Sequence, residues 1–180
     1  MALFYTLSYL ALLGILSHVL GEAIPRQAFD PQSPLFRTWR WERDGRIYDR
    51  LKIRKWKHRL PDMSRMASDM VPKRLGVAPS AADVRRLIRE TCRAEAVHLA
   101  LMLLSPTICF FWKSAIGILL AVLYALGNLP FVLIQRYNRP RLTVLAARLE
   151  AREEKHRARE NSDSVGKHGK RSQCRGEGNR

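Results

Sequence analysis

The sequence predicts an all-α integral membrane protein of about three apolar helices, an N-terminal anchor plus a hairpin in the C-terminal half, with basic interfacial segments between and after them. Three observations predict it. The 47% apolar content of the 180 residues is gathered into runs instead of being spread as a globular core requires. Those runs, Ala2 to Leu20, Ala96 to Trp112 and Ser114 to Ile134, each approach the roughly 20 residues needed to cross a hydrocarbon core. Of 32 Lys and Arg residues, 18 lie between Arg26 and Arg93, 13 lie from Arg136 onward, and only Lys113 lies elsewhere. The slightly negative mean hydropathy averages oily and Arg-rich stretches and conceals this pattern.

Residues 1–21 read as the N-terminal transmembrane anchor, free of formal charge until Glu22. A cleaved signal peptide is the alternative, but no basic residue opens the segment and Leu20-Gly21-Glu22-Ala23 is a poor cleavage motif. His18 reads as interfacial. Backbone groups in lipid must be satisfied within the segment, so a helix is the expected form. The positive-inside bias places the N-terminus outside, and the basic loop and C-terminal tail in the cytoplasm, for a protein of the cell membrane.

Residues 22–79 form a basic, Trp-rich cytoplasmic or interfacial segment. Phe36-Arg-Thr-Trp39-Arg-Trp41 and Lys52-Ile-Arg-Lys-Trp-Lys-His58 combine indoles with cations, a pairing suited to the headgroup layer of the bilayer. A solvated basic loop would explain the charges but not the tryptophans. Asp62 to Pro79 reads as a connector.

Residues 80–134 read as a long helix and a membrane hairpin. Ser80-Ala-Ala-Asp83 has the form of a capping box, and Val84, Leu87, Ile88, Thr91 and Cys92 make an apolar stripe opposite Arg85, Arg86, Arg89 and Arg93. That helix can run unbroken into the second span. Pro106 and the shortness of this span leave a re-entrant hairpin turning near Trp112 and Lys113 as an alternative. Residues 135–160 carry a basic motif and a second amphipathic helix from Leu142 to Arg159, with Pro140 expected to end the third span. Residues 161–180, poor in apolar side chains, read as a disordered basic tail.

An ionisable residue at membrane depth costs about 3 kcal/mol unless it is paired or functional, so such positions are the first candidates for chemistry. Glu95 and His98, at i and i+3, share a helix face, and a carboxylate beside an imidazole can fix its tautomer for general-base work. A structural ion pair is the alternative. His58 with Asp62 is a second candidate base pair, with Pro61 turning the chain between them. Cys92, Cys109 and Cys174 have no zinc or redox spacing and read as unpaired thiols. No metal cluster, phosphate-cradling Gly loop or nucleophile elbow is visible. The net charge of +16 invites a nucleic-acid reading, but the positive-inside bias already accounts for it, so nucleic acid is not an expected partner.

Three blocks taken together, Arg54-Lys-Trp-Lys-His-Arg-Leu-Pro-Asp62, Glu90-Thr-Cys-Arg-Ala-Glu-Ala-Val-His98 and Asn128-Leu-Pro-Phe-Val-Leu-Ile-Gln-Arg-Tyr-Asn-Arg-Pro-Arg-Leu-Thr143, resemble the glycosyl-4,4'-diaponeurosporenoate acyltransferase family, which completes staphyloxanthin-type carotenoids. The resemblance covers roughly Ile24 to Arg157. It implies esterification of the C6 hydroxyl of a glucose on a carotenoid acid by a fatty acyl group. The implied donor is an acyl thioester resembling acyl-CoA, with no bound cofactor. It marks Lys55, Trp56, Lys57, Arg93, Arg136, Asn138, Arg139 and Arg141 as substrate-binding, beside the candidate catalytic residues His98, Glu95, His58 and Asp62. In that reading Glu95 orients His98, an arginine among Arg93, Arg136 and Arg139 stabilises the oxyanion, and basic residues such as Lys55, Lys57 and Arg141 hold donor phosphates. The partners are then the lipid bilayer, the glycosylated carotenoid and the acyl donor. A non-enzymatic basic membrane adaptor, or an acyltransferase for another glycolipid, are the alternatives.

Overall fold

The structure, a computed structural model, describes residues 2–43, 45–57 and 79–176, with side chains described from Phe4 to Asn161 within those ranges. Among them every regular element is helical and there is no strand. Helix α1 spans Ala2–Ala23, α2 Ile47–Arg50, α3 Ile53–Trp56, α4 Ala81–Leu104 and α5 Ala115–Gly176, with single 3₁₀ turns at Arg26–Ala28 and Arg40–Glu42 and a longer 3₁₀ stretch at Ser105–Phe110.

Helix α1 is apolar on every side, and Leu12, Ile15 and Leu16 remain more than half exposed, a pattern that fits a helix able to cross a membrane. It runs antiparallel to α4. At one end Tyr9 Oη and Thr107 Oγ1 share a hydrogen bond of 2.8 Å, and Trp112 Nε1 donates to Thr6 Oγ1 at 2.7 Å. At the other end Gly21 allows close approach, since a Cβ there would lie 2.7 Å from Val97 Cγ2. One turn on, Arg93 pairs with Glu22 at 2.6 Å.

The expected capping box starts α4. Asp83 N donates to Ser80 Oγ at 3.2 Å, Ser80 N donates back to Asp83 Oδ2 at 3.1 Å, and the orphan Ala81 N–H donates to Glu153 Oε1 of α5 at 2.9 Å. The helix continues unbroken to Leu104, where Pro106 enters at the start of the 3₁₀ stretch and the chain turns back near Trp112. Helices α4 and α5 then pack antiparallel along most of α4. Val84 and Ile88 meet Ala146, Leu142 and Leu149 at the polar end of the pair.

Two expectations change here. Pro140 does not end the third span: α5 is one helix of 62 residues with Pro130 and Pro140 inside it. Pro140 has no N–H to offer the Arg136 carbonyl. Side chains bond the neighbouring carbonyls of this turn, as Arg141 Nη1 donates to Tyr137 O at 2.8 Å and Thr143 Oγ1 to Arg139 O at 3.0 Å. Gly45 lies against the Pro140 ring, where a Cβ would come within 3.0 Å of it. The separate helix expected from Leu142 is thus a continuation of α5, and the tail expected to be disordered from Asn161 continues as helix to Gly176. The Ala, Arg, Glu and Lys of residues 146–160 are strong helix formers, and extending an existing helix avoids a new nucleation step.

The segment between α1 and α4 folds over the polar end of the bundle. Tyr48 and Ile53 are buried against Ile134 and Tyr137, with Ile47, Trp56 and Leu133 around them, and Phe29 and Phe36 close over Cys92. Fully burying Ile53 or Ile134 is worth about 1.5–3 kcal/mol each, enough to hold so short a segment to α5. Three helices among the described residues are long and apolar enough to cross a membrane: Phe4–Ala23, Ala81–Phe110 and Ala115–Asn161. Their arrangement puts the start of α1 and the 105–114 turn at one end, and Glu22, Arg93, Glu95 and Arg136 at the other.

Candidate active site

Glu95 is fully buried, and its two carboxylate oxygens are taken by two arginines from α5. Arg136 Nε donates to Oε1 at 2.6 Å, and Arg139 Nη2 donates to Oε2. Each arginine is also bonded through its other two nitrogens. Arg136 Nη1 pairs with the buried Glu42 and its Nη2 donates to Leu35 O at 2.7 Å. Arg139 Nε donates to Thr91 Oγ1 at 3.1 Å and its Nη1 to Phe36 O at 2.5 Å, with the guanidinium 5.5 Å from the Phe36 ring centroid. Two cations therefore meet two carboxylates and two loop carbonyls. Buried charge is tolerated only in this condition, paired and hydrogen-bonded on all sides. Tyr48 lies beside this group, and burial first, then the Glu42 carboxylate, pushes its hydroxyl up to about 12.

The expected pairing of Glu95 with His98 is corrected by this geometry. Both residues sit on one face of α4, but the carboxylate is spent on the α5 arginines, which bind it more strongly than a neutral imidazole would. His98 instead meets α5 one turn deeper in the apolar layer. Its Nδ1 lies 2.9 Å from Asn128 Oδ1, and its ring stacks on Phe131 with centroids 4.5 Å apart and planes 9° apart. Asn128 is buried, and its Nδ2 donates to the Tyr124 carbonyl at 2.9 Å. A backbone carbonyl accepts only, so the amide nitrogen must face Tyr124 and the amide oxygen must face His98. Nδ1 therefore donates to that oxygen, which leaves the lone pair on Nε2 whenever the ring is neutral. That is the tautomer a general base needs at Nε2.

A third polar group lies on the same α5 face as Phe131, two turns toward the basic end. Lys57 Nζ donates to Asn138 Oδ1 at 3.1 Å and lies 5.1 Å from the Tyr137 ring centroid. Arg141 covers Tyr137 at 3.7 Å and donates to Asp49 at 2.8 Å. Trp56 is half-buried in the Tyr48 and Ile53 cluster, with Nε1 donating to Leu51 O at 3.0 Å, while Lys55 is exposed. Arg93 bridges Glu22 and Glu90, each at 2.6 Å, and Glu90 also holds Arg26. The structure thus brings His98, Lys57 and Asn138 to one side of α5. It engages Arg136 and Arg139 in a clamp around Glu95, and it places Arg93 in a bridge between α1 and α4. His58 and Asp62 lie outside the described residues. Among the described residues no group of three His, Cys, Asp or Glu side chains converges as a metal site.

Asn128, Phe131, Glu42 and Asp49 are not among the site residues the sequence suggests, and Thr91 is there only part of an apolar stripe. Only Asn128 carried a signal, as an amide inside the apolar run from Ser114 to Ile134. Glu42 and Asp49 are ordinary loop acids until the fold carries them to α5.

The sequence model of a family described as glycosyl-4,4'-diaponeurosporenoate acyltransferase matches residues 31–148. The chain belongs to this family. Three relatives of that name from Staphylococcus aureus, strains N315, bovine RF122 / ET3-1 and MRSA252, are each 32% identical over 139 residues, covering 76% of this chain and 83% of theirs. No solved structure matches the chain. As a member of the diaponeurosporenoate acyltransferase family the protein is an acyltransferase, as the blocks around Glu95 and Arg136 suggested. The matched region begins after α1 and stops within α5. It contains the Glu95 clamp, the His98 group and the Lys57–Asn138 contact in full.

Proposed function

We propose that the protein transfers a fatty acyl group from an acyl thioester to the C6 hydroxyl of a glucose attached to a carotenoid acid, at the cytoplasmic edge of the cell membrane. The observation that carries the reading is the hydrogen bond between His98 Nδ1 and Asn128 Oδ1, one turn inside the apolar layer and next to a basic surface. His98 Nε2 takes the hydroxyl proton as the sugar oxygen attacks the thioester carbonyl. The tetrahedral oxyanion collapses, the C–S bond breaks, and the imidazolium returns the proton to the departing sulfur, leaving an ester and a thiol. Asn128 acts through His98 as a positioning residue. Lys57 and Asn138 stand two helical turns away on the same face, where the sugar of an acceptor with an apolar tail would sit at the layer's edge. Support for the acceptor comes from the names of the relatives. Support for the location comes from three helices of spanning length whose polar ends coincide with this site.

The test supplies membranes containing the protein with a glucosylated carotenoid acid and a labelled fatty acyl-CoA. We expect a labelled ester at C6, cleaved by mild base to return the free sugar. His98→Ala should lower kcat by about 10²–10⁴, the usual share of a general base. Full activity in that variant would sink the assignment of the base, and acylation of a different glycolipid in place of the carotenoid would move the acceptor.

A further inference from the structure

A cavity of about 590 Å³ opens on the loop side of α5, lined by Trp41, Arg43, Arg46, Ile47, Asp49 and Arg50. The loop that forms it is fixed from below. Glu42 is buried on Arg136, Gly45 rests on Pro140, and Tyr48 is packed against Ile134 and Tyr137. Arg43 at φ 49 and Gly45 at φ 80 turn the chain sharply between these anchors. A non-glycine residue in the left-handed region persists only when its surroundings hold it there.

Among the described lining residues cations outnumber carboxylates by three to one. Asp49 is neutralised by Arg141, whereas Arg43, Arg46 and Arg50 are paired with no carboxylate among the described residues. Three planar guanidinium forks around one space match the oxygens of phosphate esters. Trp41 is 58% exposed at the same cavity and offers an indole face to a heterocyclic ring.

The cavity also lies at a useful distance from His98. Asp49 is bonded to Arg141, and His98 is stacked on Phe131, ten residues earlier in α5. At 1.5 Å per residue that separates them by about 15 Å along the helix. A phosphopantetheine arm has about thirteen bonds between phosphorus and sulfur, and at the reach of an extended chain, about 3.5 Å per three bonds, it spans about 15 Å.

We propose that this cavity is a phosphate-ester site holding the nucleotide end of an acyl-coenzyme A donor, so that its pantetheine arm delivers the thioester to His98. The proposal rests on the thioester reading given above. Anionic phospholipid headgroups present the same phosphate chemistry, and the experiment separates the two sources.

Full-length protein in nanodiscs of purely zwitterionic lipid is compared as wild type, as the triple variant Arg43→Ala, Arg46→Ala, Arg50→Ala, and as the control Arg148→Ala, Arg152→Ala, which removes exposed charge elsewhere on α5. The triple variant should raise KM for acyl-coenzyme A at least tenfold with kcat within twofold, and leave the kinetics with an acyl-pantetheine donor unchanged. The control should behave as wild type. An unchanged KM, or an equal rise in the control, overturns the proposal. So does a triple variant that loses only the response to added anionic lipid, which would give the cavity to a headgroup. If no thioester supports ester formation in wild type, the reading of the donor fails by itself. Calorimetric titration with free coenzyme A still decides the cavity, since at least tenfold weaker binding in the triple variant supports it and equal binding refutes it.

Discussion

His98 and Glu95 are three residues apart, yet the structure gives them separate tasks, and their variants should fail in different ways. Glu95→Ala leaves two guanidinium groups buried beside an empty site, and losing one partner of such a group costs about 3–5 kcal/mol. Thermal unfolding in detergent should show that loss, while kcat per folded molecule stays near wild type. A large fall in kcat with unchanged melting would return Glu95 to the catalytic machinery. Asn128→Leu should do the opposite. It preserves size but releases His98 Nδ1, so kcat should drop about tenfold or more at nearly constant KM, with Asn128→Asp recovering part of it because a carboxylate also accepts from Nδ1. Equal kcat in the Leu and wild-type proteins would remove Asn128 from the mechanism. The sequence showed Glu95 and His98 on one helix face but not who pairs with whom. A carboxylate at the edge of an apolar run looks the same whether it serves an imidazole or anchors arginines some forty residues later.

Among elements, the long α5 is where sequence expectation and structure part most. The proline rule is local, and it counts only the backbone bond that Pro140 cannot make. What it could not include is the packing around the proline, since Gly45, which lies against the Pro140 ring, comes from a loop almost a hundred residues earlier. The Ser80 capping box and the apolar stripe of α4 were legible because both depend on neighbours within a few residues. Gly45 at φ 80 is the point where loop and helix constrain each other. Gly45→Ala should destabilise the protein by about 1–2 kcal/mol from backbone strain alone, and its Cβ would press on the Pro140 ring as well. Pairing it with Pro140→Ala, which removes the ring that the new Cβ meets, should relieve the steric part only. A lowered melting temperature that recovers fully in the double variant would show that contact, not backbone strain, is what Gly45 serves.

For the whole molecule, the contacts order the helices independently of any charge count. Thr6 and Tyr9 meet Trp112 and Thr107 at one end, and Glu22, Arg93, Glu95 and Arg136 gather at the other. The apolar part of each helix therefore starts and stops at matching depths. The Lys and Arg distribution then becomes a prediction about sidedness, because among the described residues Lys113 lies at one end and the remaining Lys and Arg lie at or beyond the other. A protein lacking Cys92, Cys109 and Cys174, with single cysteines placed at Lys113 or at Arg50, should react with a membrane-impermeant maleimide from outside intact cells only at position 113. Position 50 should react only after the membrane is opened. Labelling of position 50 in intact cells would place the arginine cavity and His98 on the outer face, away from a cytoplasmic acyl-coenzyme A pool. The sidedness of one loop thus tests the orientation and the donor together.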